Sequence, residues 1–219
     1  MKFWDLFLDL LFPPKCPFCG KIVDRAGVCP RCEKELPWIE GKHVLREEGV
    51  LRCAAPLWYE TLAREGILRF KFRGASASAR ALGEILARCA AEELSGEFDT
   101  VTWVPVSKKR LRKRGFDQAK LLAEESCRLW DTRPRAMLVK IADNPPQSGI
   151  HETAARRANV LGVFEVMPGA AVEGKRILLV DDICTSGATL KECVRVLTDA
   201  GAESVVCAAL AHAREKKKT

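Results

Sequence analysis

The chain has 219 residues, of which 36 are Lys or Arg and 29 are Asp or Glu, so its formal net charge at pH 7 is +7. Hydrophobic residues make up 47% and charged residues 30%, which is too apolar for a disordered protein and too charged for an integral membrane protein. A chain of this length can bury a core without disulfides. Its 10 cysteines exceed what folding requires, so their placement needs an explanation.

The first twelve residues are apolar, but Asp5 and Asp9 interrupt the run and two prolines follow it. A signal peptide has an uncharged apolar run and a small-residue cleavage site, and a membrane-spanning helix needs about 20 residues. We therefore expect a cytoplasmic protein without a transmembrane segment, whose short amphipathic start packs on the body or on a partner, with contact to a membrane surface as the alternative. In a reducing compartment, the cysteines are metal ligands or core thiols rather than disulfides.

Two C-x2-C pairs near the N-terminus predict a four-thiolate metal site. The four cysteines are Cys16, Cys19, Cys29 and Cys32. Structural Zn2+ is the favoured occupant, a rubredoxin-like iron is the main alternative, and redox dithiols come after both. The other six cysteines are scattered, and we interpret most of them as small buried residues.

Residues 67–74 alternate apolar and basic side chains and predict either a strand or the end of a helix. From Ser76 onward, apolar residues recur at helical spacing, which predicts a helix. Residues 101–106 predict a buried strand that a proline ends. A basic loop over 107–115 and a helix over 116–129 are expected to follow.

Residues 137–141 predict another strand, and residues 142–160 predict a long mobile segment. The run Ile177–Val180 is apolar throughout, which indicates a strand buried on both faces of a parallel sheet. A helix over 188–200 and a strand over 204–210 complete the pattern. This alternation of strands and helices favours an open α/β sheet.

The most informative segment has the sequence ILLVDDICTSGAT. An apolar strand delivers Asp181 and Asp182, and a helix starts after a short loop of hydroxyl residues and glycine. The free N–H groups of a helix start bind phosphate, and Thr185, Ser186 and Thr189 add hydroxyl donors. The two carboxylates suit vicinal hydroxyls, with or without a water-bridged Mg2+. The pattern therefore predicts a site for a ribose 5-phosphate.

This segment resembles the phosphoribosyl-diphosphate signature of the type I phosphoribosyltransferases. Together with the cysteine pairs, the V-P-V strand end, the stretch R-L-R-K-R-G-F-D-Q-A, and the later Q-S-G and R-R-A-N motifs, the chain resembles the ComF family over residues 10–212. The resemblance implies a type I phosphoribosyltransferase-like open parallel sheet flanked by helices, plus a small N-terminal zinc ribbon. It places the N-terminal segment and ribbon at 1–40, the phosphoribosyltransferase-like domain at 41–219, and a hood over the site at 41–75. Beyond the four-cysteine knuckles only Cys53 remains of the further cysteines that family members often carry, so we expect a single-zinc ribbon.

The resemblance also assigns roles to individual residues. Asp181 and Asp182 would be the catalytic carboxylates that hold the ribose hydroxyls. The 5-phosphate would lie against Thr185, Ser186, Gly187, Ala188 and Thr189. The diphosphate would lie against Lys109, Arg110 and Arg114, since guanidinium groups bind phosphate in bidentate fashion, although a solvated or general nucleic-acid-binding patch is the alternative. A mobile catalytic loop that excludes water would contain Gln147, Arg156, Arg157 and Asn159, unless these residues simply belong to a helical surface.

Two functions are consistent with these residues. The first is Mg2+-dependent binding of phosphoribosyl diphosphate and transfer of ribose 5-phosphate to an unidentified nitrogen acceptor, in natural competence and DNA uptake. The second is a non-catalytic single-stranded DNA-binding or nucleotide-sensing module of the transformation machinery, with Phe70 and Phe72 as stacking residues; the same residues equally suit an edge strand. The partners implied are phosphoribosyl diphosphate, single-stranded DNA, a competence helicase and a second copy of the chain in a homodimer.

Overall fold

The computed structural model describes residues 13–41, 44–47, 51–72, 75–142 and 161–214. Its helices within those ranges are α1 (Pro30–Glu35), α2 (Thr61–Phe72), α3 (Ala75–Glu93), α4 (Lys108–Arg114), α5 (Gln118–Leu129) and α6 (Ala188–Asp199). Its strands are β1 (Val44–Glu47), β2 (Leu51–Ala54), β3 (Leu57–Trp58), β4 (Thr100–Trp103), β5 (Leu138–Lys140), β6 (Phe164–Val166), β7 (Arg176–Cys184) and β8 (Ser204–His212).

The main sheet runs in the order β1-β2-β8-β7-β4, and β3 also pairs with β8. All of its pairings are parallel except the antiparallel pair of β1 and β2. Strand β4 stops opposite Val180, whereas β7 continues to Cys184 along β8. The open parallel sheet predicted from the alternating pattern is confirmed. Strands β5 and β6 form a separate antiparallel pair.

Two buried clusters cover the two faces of the main sheet. Alternate residues of β7 point to opposite faces, so Leu178 and Val180 pack with α3 and α5, and Ile177 and Leu179 pack with α6 and the β5–β6 pair. All four of these β7 side chains are fully buried. Burial on both faces explains why the strand is a continuous apolar run.

Residues 67–72 belong to helix α2 and not to a strand. The buried residues Ala63, Ile67 and Phe70 recur at helical spacing and place one face of α2 in the core. Phe70 has no exposed surface and lies 6.4 Å from the ring of Phe116. The stacking groove proposed for Phe70 is therefore wrong, because a buried ring cannot stack on a nucleic-acid base.

The basic segment after β4 is a helix rather than the expected loop. The hydroxyl of Ser107 accepts from the Arg110 N–H at 3.3 Å and caps the start of α4. At the other end Gly115 adopts a left-handed conformation, with φ of 80°, which favours glycine and ends the helix. Capping at both ends thus fixes a helix whose seven residues include six Lys or Arg.

The cysteine-rich segment packs directly on the rest of the chain. Cys16, Phe18, Cys29 and Leu36 belong to the same buried cluster as the core-facing residues of α2, α3 and α5. Strands β2 and β3, which lie in the segment expected to form a hood, pair with β8 in the main sheet. The domain boundary at residue 40 stays a prediction.

Among the helices of the described residues, we find none with the length and apolarity needed to cross a bilayer.

Candidate functional site

The four predicted metal ligands come together. One sulfur atom from each of Cys16, Cys19, Cys29 and Cys32 lies within 4.8 Å of the other three. Two chain segments supply them: the turn at residues 16–19, and the start of α1, where Cys29 is the N-cap residue and Cys32 lies in the first turn. Four convergent sulfurs are the donor set that tetrahedral Zn2+ takes in structural sites, so the residues fit a structural zinc ion.

The Cys29 thiol is electrostatically suited to bind metal. Its sulfur accepts from the Cys32 N–H at 3.4 Å, and this backbone hydrogen bond is the main reason that the pKa of Cys29 falls to about 7. A thiolate is the form that ligates metal. Burial acts in the opposite direction on Cys32 and raises the pKa of that thiol, so a bound cation would favour the ionised form of Cys32.

Strand β7 runs through both predicted catalytic acids. Asp181 and Asp182 follow the buried apolar run, beyond the end of β4, and Asp181 pairs with Ala209 of β8. The Asp182 Oδ2 atom lies 2.7 Å from Lys71 Nζ of α2. Asp181 Oδ1 accepts from the Asp182 N–H at 2.8 Å. Burial raises the pKa of Asp181 well above its ordinary value, and the neighbouring Asp182 charge adds to this rise.

The loop after β7 is short and leads straight into α6. Gly187 occupies the N-cap position with φ of 65°, and α6 has no side-chain cap. The first N–H groups of a helix without a side-chain cap are available to a ligand. The positive end of the helix dipole favours an anion there.

A cavity of about 230 Å³ lies between the end of β7, the start of α6 and helices α2 and α4. Its charged lining consists of Asp181 and Asp182 together with Lys71, Arg110, Arg114 and Lys140. Thr185 and Thr189 line the same cavity. Four cationic side chains outnumber two carboxylates, so the cavity favours an anionic ligand that also offers hydroxyl groups.

Arg110 and Arg114 of α4 form a cationic wall of the cavity, and a hydrogen bond holds the Arg114 side chain in place. Arg114 donates to Gln118 Oε1 at 2.9 Å. Burial lowers the pKa of the Arg114 guanidinium, while the charge of Asp182 acts in the opposite direction. Gln118 is 2% exposed, and its Nε2 donor has no hydrogen-bond partner among the described residues. A buried donor without a partner carries a free-energy penalty, so the Gln118 amide is a candidate ligand contact.

A larger groove of about 380 Å³ lies between the cysteine-rich segment and α3. Its lining includes the carboxylates of Glu33, Glu84 and Glu92 and a single cation, Arg88. Clustered carboxylates repel a phosphate, so this groove does not suit the predicted ligand.

The remaining predicted site residues have different positions. Lys109 is exposed, and Ser186, Gly187 and Ala188 form the turn into α6 beside the cavity. The predicted mobile-loop residues Gln147, Arg156, Arg157 and Asn159 lie outside the described residues. Cys53 is buried in β2 beside Cys207, away from the ribbon.

Three charged or aromatic residues of the cavity were not predicted to bind the phosphoribosyl ligand. Lys71 comes from α2, Lys140 from β5 and Phe164 from β6. Lys140 Nζ lies 5.2 Å from the centre of the Phe164 ring, as in a cation–π contact. A lone lysine has no distinctive spacing, so only the tertiary structure identifies these residues.

Comparisons with known proteins agree with this arrangement. Residues 7–47 match the family model of the double zinc ribbon domain, and residues 111–219 match that of the phosphoribosyl transferase domain. Residues 7–47 contain four cysteines, and the described residues hold one four-cysteine cluster, enough for a single zinc ion.

Two curated relatives are similar to the chain over most of its length. The competence protein ComFC of Bacillus subtilis strain 168 is 30% identical over 186 residues, which cover 85% of this chain and 72% of that protein. The DNA utilization protein YhgH of Escherichia coli O157:H7 is 30% identical over 205 residues, covering 87% and 80%. A solved glutamine phosphoribosylpyrophosphate amidotransferase from B. subtilis is 26% identical, with a TM-score of 0.43, over 66% of this chain and 27% of that chain. The similarity to ComFC shows that the chain belongs to the family of that competence protein, and the chain joins an N-terminal zinc ribbon domain to a phosphoribosyl transferase domain.

Proposed function

We propose that the cavity binds phosphoribosyl diphosphate with Mg2+ and transfers its ribose 5-phosphate to a nitrogen acceptor. The observation that carries the proposal is the position of Asp181 and Asp182 at the carboxyl end of β7, between the start of α6 and a cationic wall. Ligands of open α/β sheets bind outside the carboxyl ends of the strands. A phosphate, a diol and a diphosphate would each meet a suitable group there.

The two ends of the ligand would contact different elements. The 5-phosphate would accept hydrogen bonds from the first N–H groups of α6 and from the Thr185 and Thr189 hydroxyls, which line the cavity. The diphosphate would contact Arg110 and Arg114 of α4. These two arginines are four residues apart in the helix, so both can face the cavity while Lys109 faces solvent.

The proposed reaction is a displacement at the anomeric carbon. The bond from that carbon to the diphosphate oxygen breaks, and its electron pair leaves with the diphosphate. A bond from carbon to the acceptor nitrogen forms on the opposite face, with inversion, and the proton of the acceptor nitrogen passes to water. Mg2+, when bound, would supply positive charge to the diphosphate. Arg110 and Arg114 would stabilise the charge that develops on the leaving group, and Asp181 and Asp182 would hold the ribose hydroxyls, with or without Mg2+.

Calorimetric titration of the purified protein with phosphoribosyl diphosphate and Mg2+ tests the binding step. We expect saturable binding in the wild-type protein. Asp182→Asn should weaken it by an order of magnitude or more, because a hydrogen bond from a ribose hydroxyl to a charged carboxylate is stronger than one to a neutral amide. Glu203→Gln is the control, since this carboxylate is exposed. Absence of binding to the wild-type protein, or equal binding by Asp182→Asn, contradicts the proposal. Release of pyrophosphate, screened across purine and pyrimidine bases, then separates an enzyme from a non-catalytic binding protein.

A second function has support from the outward side of α4. Lys108, Lys109, Arg112 and Lys113 are exposed, in contrast to the two half-buried arginines. Such a basic surface suits a single-stranded nucleic acid in a protein whose relatives are named for competence and DNA utilization. Single-strand binding that weakens steeply with salt, is lost in Lys109→Ala/Lys113→Ala, and occurs without pyrophosphate release would favour this function. Action in the cytoplasm, a helicase partner and a homodimer stay predictions.

A further inference from the structure

Helix α2 contacts the turn at residues 16–19, which carries the first cysteine pair and is here called the knuckle. The contact is at Gly66. A Cβ atom at Gly66 would lie 2.5 Å from Phe18 Cδ1 and 3.2 Å from Phe18 Cα. Phe18 lies between Cys16 and Cys19 in the knuckle and has no exposed surface. The knuckle therefore rests against the main chain of α2, and a side chain at residue 66 would push the two apart.

Arg69, one turn further along α2, binds the same knuckle through hydrogen bonds. One guanidinium nitrogen, Nη1, donates to the Phe18 carbonyl at 2.6 Å and to the Pro17 carbonyl at 3.3 Å. A hydrogen bond from a charged donor to a carbonyl is stronger than one from a neutral donor. The two contacts of α2 with the knuckle, steric at Gly66 and polar at Arg69, fix the rotation of the helix about its axis.

Two residues after Arg69, the same helix presents Lys71 to the candidate site. Lys71 Nζ lies 2.7 Å from Asp182 Oδ2, and the two side chains are 18% and 14% exposed. The ion pair of Lys71 and Asp182 involves one oxygen of the carboxylate, and both residues line the cavity. Phe70, between the two polar residues, is buried against Phe116 at the approach to α5. Rotation of α2 would move Lys71 away from Asp182.

We propose that α2 couples the cysteine knuckle to the phosphoribosyl site: metal binding at the knuckle holds α2, and α2 holds Lys71 against Asp182, so that the Asp182 carboxylate is oriented for its ligand. Lys71 is a positioning residue in this account, and Arg69 acts through it. The part of the inference that concerns ligand affinity rests on the proposed function. The contact between knuckle, helix and aspartate does not.

A double-mutant cycle measures the coupling. In titrations with phosphoribosyl diphosphate and Mg2+, Lys71→Met and Arg69→Ala should each weaken binding, Lys71→Met on the order of ten-fold. Lys71→Arg should restore part of the affinity because it keeps the charge. If Arg69 acts through Lys71, Arg69→Ala should have little further effect on the Lys71→Met protein. Full additivity of the two changes overturns the proposal. Arg64→Ala is the matched control, because Arg64 is exposed on the same helix.

A second measurement needs no ligand. Limited acetylation followed by mass spectrometry reports how accessible the Lys71 amine is, with the exposed Lys108 as internal reference. We expect Lys71 to be protected in the wild-type protein and to become several-fold more reactive in Gly66→Ala, in Arg69→Ala and after zinc removal with a chelator, since an ion-paired, half-buried amine must open to react. Circular dichroism confirms that each sample remains folded. Unchanged reactivity of Lys71 in folded Gly66→Ala and Arg69→Ala proteins overturns the coupling.

The two readouts separate the coupling from the proposed function. If the wild-type protein fails to bind phosphoribosyl diphosphate but the reactivity of Lys71 follows the state of the knuckle, the function is wrong and the coupling stands. If the ligand binds and Lys71 reactivity is independent of the knuckle, the coupling is wrong and the function stands.

Discussion

The carboxylate of Asp117 holds the main chain of Val106, eleven residues earlier in the sequence. Asp117 Oδ2 accepts from the Val106 N–H at 3.0 Å, and Oδ1 accepts from the Lys120 N–H at 3.1 Å. One side chain therefore caps the start of α5 and fixes the turn through which β4 leads into α4. The position of the cationic wall depends on this turn, because Arg110 and Arg114 belong to α4.

Replacing Asp117 by Ala should destabilise the protein and weaken ligand binding together. Loss of an N-cap costs about 1 kcal/mol, and the half-buried N–H of Val106 without a partner costs about 1–2 kcal/mol more, in the lower part of the range for a buried group. Urea denaturation should therefore show a free energy of unfolding lower by about 2–3 kcal/mol. Glu203→Ala, an exposed change, should leave it nearly unaltered. A normal stability of Asp117→Ala would show that the turn does not depend on this side chain.

The raised pKa of Asp181 predicts the pH dependence of stability. Its pKa in the folded protein is above the unfolded value of 3.8 because of burial and the Asp182 charge. The folded state therefore binds more protons between the two values, and stability falls as pH rises from about 4 through the folded pKa. Asp181→Asn should abolish this penalty while its amide oxygen still accepts from the Asp182 N–H. Its melting temperature should exceed that of the wild type at pH 8 and approach it near pH 4, and a constant difference would contradict the assignment.

Glu192 should show the opposite pH dependence. Its carboxylate accepts from Gly162 N at 2.8 Å and from Arg195, and the Arg195 hydrogen bond lowers the pKa of Glu192 below 4.5. This contribution to stability is present above pH 4.5 and is lost as pH falls through the folded pKa. Glu192→Gln should cost about 1 kcal/mol at neutral pH. Asp199→Asn should cost less, about 0.5 kcal/mol or below, because Asp199 pairs with the same Arg195 at the surface. Equal effects of the two variants would contradict a special role for the buried carboxylate.

Gly83 of α3 should not tolerate alanine, although alanine is the better helix former by about 1 kcal/mol. A Cβ atom there would lie 2.5 Å from Glu125 Cβ and 3.3 Å from Ser126 N of α5. Separation of α3 from α5 would also break the hydrogen bond from the Ser126 hydroxyl to the Gly83 carbonyl, 3.1 Å long. We expect Gly83→Ala to lower the free energy of unfolding by about 1–3 kcal/mol. Glu84→Ala, a neighbour in a surface ion pair, should change it by less than about 0.5 kcal/mol. Stabilisation by Gly83→Ala would show that the helices can move apart without cost.

Local patterns in the sequence predicted the elements that contain their own signal. The apolar run of β7 and the acids after it are contiguous, so strand, acids and helix start follow from one segment. The cysteine pairs are equally local, and their convergence is confirmed. The short helix α4 was missed because its seven residues have no apolar periodicity, and only Ser107 and Gly115 mark its ends. In α2, the alternation at 67–72 concealed a helical face that begins earlier, at Ala63.

Contacts across long sequence separations could not be predicted in this way. Lys71 and Asp182 are 111 positions apart, and the sequence around either residue does not indicate that it contacts the other. The same holds for Arg69 and the knuckle carbonyls, which are about 50 positions apart. Such pairs depend on how α2 packs in the core, and a sequence pattern describes only which face of a helix is apolar.

The early end of β4 divides β7 into two parts with different protection. Residues 177–180 pair with a strand on each side, whereas residues 181–184 continue along β8 beyond the last residue of β4. In hydrogen exchange, the amides of residues 177–180 should exchange mainly through global unfolding. Those of residues 181–184 should exchange sooner, through local opening. The aspartates thus begin where the protected centre of the sheet ends, and a bound ligand would extend slow exchange into the loop before α6.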